Sequence, residues 1–220
     1  MGRTPRILDP NFPLHLVARC NNKESFPVPL PEAWEIMSDY LHLISKVFGI
    51  EVIAFVMMSN HFHLICQDPS LRLSEAMEFF MREVSREMLR RSGRINKLWG
   101  DTYRSSILLD ISYFLHAHKY IYRNPVAAGI CEKVEEYPWS TLQMLLGQKT
   151  SIIPIREDVT FFSSPEQTLR WLNDSYHPNE ADHLRRALQK KKFRFPKDPT
   201  TKRSSPLEAR DSLPAWLLTR

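Results

Sequence analysis

The stretch EVIAFVMMSNHFHLICQ, residues 51–67, decides the fold. Glu51 to Met58 is rich in Val, Ile and Phe and reads as a strand. His61 to Gln67 reads as a second strand, with Ser59-Asn60 as the tight link between them. Side chains alternate across a strand, so His61 and His63 turn to one face while Phe62 points into the core. Two neighbouring imidazoles on a rigid strand are a ready pair of metal ligands. Taken alone, such a pair is more often a surface or core feature than a metal site, and a second feature has to decide.

Upstream, Phe12 to Cys20 reads as a strand with Leu14, Leu16 and Ala18 on one face, closed by Asn21-Asn22-Lys23. Pro31 opens a helix to about Phe48, with Trp34, Met37, Leu41, Ile44 and Phe48 as its buried stripe and Gly49 as its C-cap. Downstream, a long helix runs from about Ser74, its candidate cap, to Arg91, and Gly93 ends it. Met77, Phe80, Met81, Val84 and Met88 fall on one side of it; Arg82, Arg86, Arg90 and Arg91 fall largely on another. Trp99 to Leu109 contains a further strand. Ser112 begins a helix predicted to stop at Arg123 or Asn124, because Pro125 restricts the residue before it. A short helix near Gly147 follows, and residues 164–176 and 179–193 each fit a helix. From Phe195 on, Pro, Ser and Lys dominate and little order is expected.

The chain has 220 residues and is 43% hydrophobic, enough for one domain with a proper core plus an appendage. No stretch approaches the ~20 apolar residues that span a bilayer, and no secretory signal opens the chain, so a cytoplasmic protein without a membrane partner is expected. Cys20, Cys66 and Cys131 form no CxxC pair, which speaks against a disulfide framework or a zinc ribbon. The net charge of +5 is unevenly placed: His177 to Arg220 holds 11 Lys and Arg against 5 Asp and Glu, while the rest is close to neutral. A basic end suits a polyanion, nucleic acid first, although a merely solvated tail has the same composition.

The second feature lies 57 residues after His63, in Tyr120-Ile121-Tyr122-Arg123-Asn124-Pro125-Val126-Ala127-Ala128-Gly129-Ile130. Residues four apart share a helix face, so Tyr120 and Asn124 can look together toward the histidine pair; Tyr122, two positions on, cannot share that face with Tyr120. His116 and His118 likewise cannot face one way. His15 and His42 fit no pattern.

With Asn60-His61-Phe62-His63, that tyrosine run and the Tyr137-Pro138-Trp139-Ser140 that follows, the chain over about residues 7–146 resembles the single-tyrosine HUH transposases. Within them it is most similar to the REP-associated tyrosine transposases, relatives of the insertion-sequence-200 transposases. Ser59 stands where that family often has proline, Tyr122 where histidine is common and Arg123 where an apolar residue is usual. The resemblance implies an α+β, ferredoxin-like or RRM-like palm, an antiparallel sheet with helices on one face, as a catalytic domain over 1–147. A C-terminal helical extension (148–195) and a disordered basic tail (196–220) would follow. It also implies a divalent cation, Mg2+ or Mn2+, held by His61, His63 and Asn124, with Tyr120 as nucleophile on single-stranded or hairpin DNA. The enzyme would work as a monomer or homodimer. Candidate DNA contacts are Arg82, Arg86, Arg90, Tyr103, Arg104, Arg123, Lys190, Lys191 and Lys192, each with packing or a solvated surface as the alternative. Three rivals are a hairpin-binding protein without chemistry, a replication-initiator or relaxase type of HUH endonuclease, and an unrelated metallohydrolase.

Overall fold

A computed structural model describes residues 6–95, 97–156, 164–197, 205–208 and 213–218. The described residues up to Ile107 include β1 (Leu14–Arg19), α1 (Leu30–Phe48), β2 (Glu51–Met57), β3 (His61–Gln67), α2 (Leu73–Ser92) and β4 (Arg104–Ile107). The strands form one antiparallel sheet in the order β2-β3-β1-β4, the ferredoxin-like arrangement with β1 and β3 at its centre.

Alternation along β1 and β3 assigns the two faces. Leu14, Leu16 and Ala18 of β1 and Phe62, Leu64 and Cys66 of β3 are buried beneath α1 and α2. The apolar stripe predicted for α2, Met77 through Met88, is buried against them. On β2 a register irregularity between Val52 and Ala54 shifts the phase: Val52, Phe55 and Met57 face α1 and α2, while Ile53, Ala54 and Val56 face the other way.

That second face is also apolar, and it is covered by α3 (Ile111–Ala127). α1 and α2 back one face of the palm as expected, and α3 covers the other, where Ile53, Val56 and Ile65 would otherwise lie open to water. Asp110 caps α3, its carboxylate accepting from the Ser112 N–H at 2.8 Å. Pro125 does not end the helix as predicted. It lacks one donor, but α3 runs on to Ala127, and the Ala128 N–H still bonds the Asn124 carbonyl at 3.0 Å.

Beyond α3, Tyr137-Pro138-Trp139-Ser140 clamps the free edge of β2: the Met57 N–H donates to the Trp139 carbonyl, and the Tyr137 hydroxyl donates to the Met57 carbonyl at 2.7 Å. After α4 (Leu142–Leu145), the Arg156 N–H bonds the Val52 carbonyl. Then α5 (Pro165–Asn173) and α6 (Pro178–Ala187) pack on the outer side of α3. Residues 191–193 return to β4, where the Ile107 N–H donates to the Lys191 carbonyl and the Phe193 N–H to the Ile107 carbonyl. Both sheet edges are thus blunted by later segments of the chain. Of the predicted basic tail, 198–204, 209–212 and 219–220 lie outside the described residues; Leu207 and Leu213 are buried in the α3 cluster. No helix of the described residues is long and apolar enough to cross a membrane.

Candidate active site

On the α3 side of the sheet a pocket of about 630 Å³ opens beside the turn into β3, lined by His61, His63, Tyr120 and Asn124 together with Arg19, Lys23, Arg104 and Arg185. β3 supplies both imidazoles to one face because they are two apart. α3 crosses above and supplies Tyr120 and Asn124, four apart on one of its faces. The Tyr120 ring stands edge-on to His63, centroids 5.8 Å apart. Tyr122 points away: it is buried, and its hydroxyl pairs with Thr141 Oγ1 at 3.1 Å.

The proton positions of the two imidazoles follow from their partners. Asn60 Nδ2 donates to the Lys23 carbonyl at 2.8 Å, which leaves Asn60 Oδ1 facing His61 Nδ1 at 2.7 Å. An amide oxygen only accepts, so His61 Nδ1 carries the proton and its Nε2 a lone pair. His63 Nδ1 meets His15 Nε2 at 2.9 Å, and its Nε2 lies 3.3 Å from Asn124 Nδ2. Burial first, then Arg19, lowers the pKa of His61 to about 4; burial, His15, His61 and Arg19 hold that of His63 well below its ordinary value. Both imidazoles are neutral at pH 7, the state that binds a cation. Tyr120 is pushed above the usual phenol range by burial, and the guanidinium groups of Arg185 and Arg19 work against that rise.

This donor set fits a divalent cation. Two neutral imidazoles and an amide converge, and turning the Asn124 amide over would present its oxygen. Among the described residues no three His, Cys, Asp or Glu side chains form such a cluster, so the amide is the third donor available.

The other candidates are scattered. Arg104 lines the pocket. Arg82 and Arg86 pair with Glu83, and Arg90 with Glu87, all on α2 across the sheet from the imidazoles. Tyr103 is buried in the α1–α2 core with the Arg6 guanidinium 4.0 Å above its ring. Arg123 donates to the carbonyls of Leu172 and Asn173 at 3.1 and 2.5 Å, capping α5 rather than facing the pocket. Lys190, Lys191 and Lys192 are exposed where the chain rejoins β4. Sequence reasoning missed His15, Arg19 and Arg185. Period two from His15 through Val17 to Arg19 was the available signal for the first pair, since both lie on the His61 face; nothing local marks Arg185.

The family model described as "Transposase IS200 like" matches residues 10–124. A REP-associated tyrosine transposase of Escherichia coli (strain K12) is 26% identical over 131 residues, 58% of this chain and 78% of that protein. A solved structure of a REP-associated tyrosine transposase bound to a REP hairpin has a TM-score of 0.53 at 19% identity, covering 72% of this chain and 93% of the other. The matched segment runs from the approach to β1 to Asn124 and contains every residue of the imidazole–tyrosine pocket except Arg185, Leu188 and Gln189; the chain belongs to the IS200-like transposase family.

Proposed function

We propose that this protein cuts and rejoins single-stranded DNA at hairpin-forming elements, with Tyr120 as nucleophile and a cation, Mg2+ or Mn2+, held by His61, His63 and Asn124. The observation that carries the reading is the meeting of Tyr120 with the imidazole pair in one pocket of one chain. The site needs no second copy to assemble it, which favours a monomer as the working unit.

Tyr120 Oη gives up its proton and forms a bond to the scissile phosphorus; the P–O3′ bond breaks, and the departing 3′ oxygen takes up a proton. The resulting phosphotyrosine ester retains the bond energy for rejoining. His61, His63 and Asn124 would hold the cation, which when bound would withdraw charge from that phosphate. Arg19, Arg104 and Arg185 bring positive charge to the same pocket and suit the phosphates on either side of the cut. A flexible single strand suits the site because its scissile bond is reachable outside a duplex. Likeness to the hairpin-bound relative supports hairpin DNA as the form recognised.

A labelled hairpin oligonucleotide with a single-stranded flank, incubated with protein and Mn2+ and run on a denaturing gel, tests this. A covalent adduct is expected from the wild type and from Tyr122→Phe, and none from Tyr120→Phe or in EDTA. An adduct that survives Tyr120→Phe overturns the assignment.

A further inference from the structure

His15 is a buried polar side chain with no role in the chemistry above. It lies on β1, 1% exposed, on the sheet face that carries His61 and His63. Its Nε2 is 2.9 Å from His63 Nδ1, and the two rings stack with centroids 5.1 Å apart at 24°.

The direction of that hydrogen bond follows from the far side of His63. Asn124 Nδ2 is 3.3 Å from His63 Nε2, and an amide N–H only donates. With the amide N–H turned to it, and equally with a cation bound there, His63 Nε2 is a lone pair, and the single proton of the neutral ring is then on Nδ1. His63 Nδ1–H must donate to His15 Nε2, and the proton of His15 then falls on its own Nδ1. That atom is buried and has no protein partner among the described residues. Directly opposite on β4, Ser106 also buries a hydroxyl oxygen without a partner. A phenylalanine at position 15 would fill the same place but leave the His63 Nδ1–H buried without its acceptor, so packing alone does not explain the imidazole.

From these contacts we infer that His15 is a positioning residue: it accepts the His63 Nδ1 proton and so holds the His63 Nε2 lone pair toward Asn124, preset for a divalent cation. Asn60 does the same for His61 through a carboxamide oxygen. The two imidazoles are thus fixed by different outer partners, one from the adjoining turn and one from the neighbouring strand. Outer partners of this kind set ring orientation and ligand basicity. The inference rests on the cation reading of the pocket.

The test is Mn2+ binding alone, without DNA, by calorimetry and by the electron paramagnetic resonance of free Mn2+, on the full chain. His15→Phe is expected to bind about 10- to 100-fold more weakly than wild type. His15→Gln, whose side-chain oxygen can accept the same proton, should stay within a few-fold. Nitrogen-15 NMR of the imidazoles gives a second readout that needs no metal: His63 should be the Nδ1–H tautomer in wild type and His15→Gln, and a mixture in His15→Phe. Equal Mn2+ affinity and an unchanged His63 tautomer in His15→Phe overturn the inference. A wild type that binds no Mn2+ overturns the cation reading itself, and with it the role given to His15, whatever the tautomers show.

Discussion

Tyr120 and Tyr122 sit two positions apart on one helix and live in different surroundings. The first has its ring against His63 in an open pocket; the second is sealed in the core with Thr141, and burial drives its pKa far above the ordinary phenol value. Helical geometry alone separates them, which is why the sequence could rank them. It could not rank Arg123, whose partners lie 49–50 positions away in the chain, and for His15 it offered a face but no partner, since His63 lies 48 positions away. Lys119, next to the nucleophile, is a similar case. Its ammonium lies 5.0 Å from the Trp171 ring and 4.7 Å from the Tyr176 ring, and burial first, with Arg123 adding, lowers its pKa to about 8 despite Asp174 and Glu180. Between pH 8 and the unfolded value near ~10.4, the unfolded chain binds the extra proton, so this group adds stability as pH rises through that window. Buried Cys20 and Cys66, whose thiols are held above their ordinary range, act in the opposite sense in the same window, so a difference is the informative quantity. Denaturant titrations of wild type and Lys119→Met at pH 7 and pH 10 should show wild type gaining relative to the variant at the higher pH. A constant or reversed difference contradicts the placement of the ammonium.

At the scale of elements, periodicity carried most of the information. The α1 and α2 stripes, the β1 alternation and the β2–β3 hairpin were legible because each is a local pattern seated on one continuous core. Helix ends were less so. Ser74 looked like the cap of α2, yet the helix begins at Leu73, and buried Asp68 holds its first turn: one carboxylate oxygen accepts from the Arg72 N–H at 3.0 Å and the other from the Leu73 N–H at 2.7 Å. A cap reaching across four and five residues has no fixed spacing to read. Asp68→Ala should therefore destabilise the protein by about 1–3 kcal/mol, since a buried and a half-buried N–H both lose their acceptor, whereas Ser74→Ala should stay within about 0.5 kcal/mol. Urea midpoints of the two variants decide between the caps: a larger loss in Ser74→Ala would restore the sequence reading. The run past Pro125 has a similar cause. Only one hydrogen bond is forfeited there, and the buried face of α3 keeps the last turn in place.

For the whole molecule, the boundary predicted near residue 147 follows the last of the sequence motifs; packing continues across it. Trp171, Leu172, Leu184, Leu188, Phe193 and Phe195 are buried in the same cluster as Phe114, Leu115 and Ile121 of α3 and Ile53, Val56 and Ile65 of the sheet. Arg123 caps α5, Arg185 of α6 enters the tyrosine pocket, and 191–193 covers the β4 edge. Composition after residue 150 suggested an appendage because none of these contacts is local. If the extension is part of one folding unit, a chain truncated after Gly147 leaves the outer side of α3 and the β4 edge open to water. Truncation strips several buried aromatic and leucine side chains from the α3 cluster, each contributing about 1.5–3 kcal/mol. The truncated chain should melt more than about 10 °C below the full chain, or lose its cooperative transition and aggregate through the bared edge. The full chain should show one transition by circular dichroism and by tryptophan fluorescence alike. A truncated chain that melts within a few degrees of the full one, with the same hairpin affinity, would show instead that residues 1–147 stand alone and that the extension is only a lid on a finished domain.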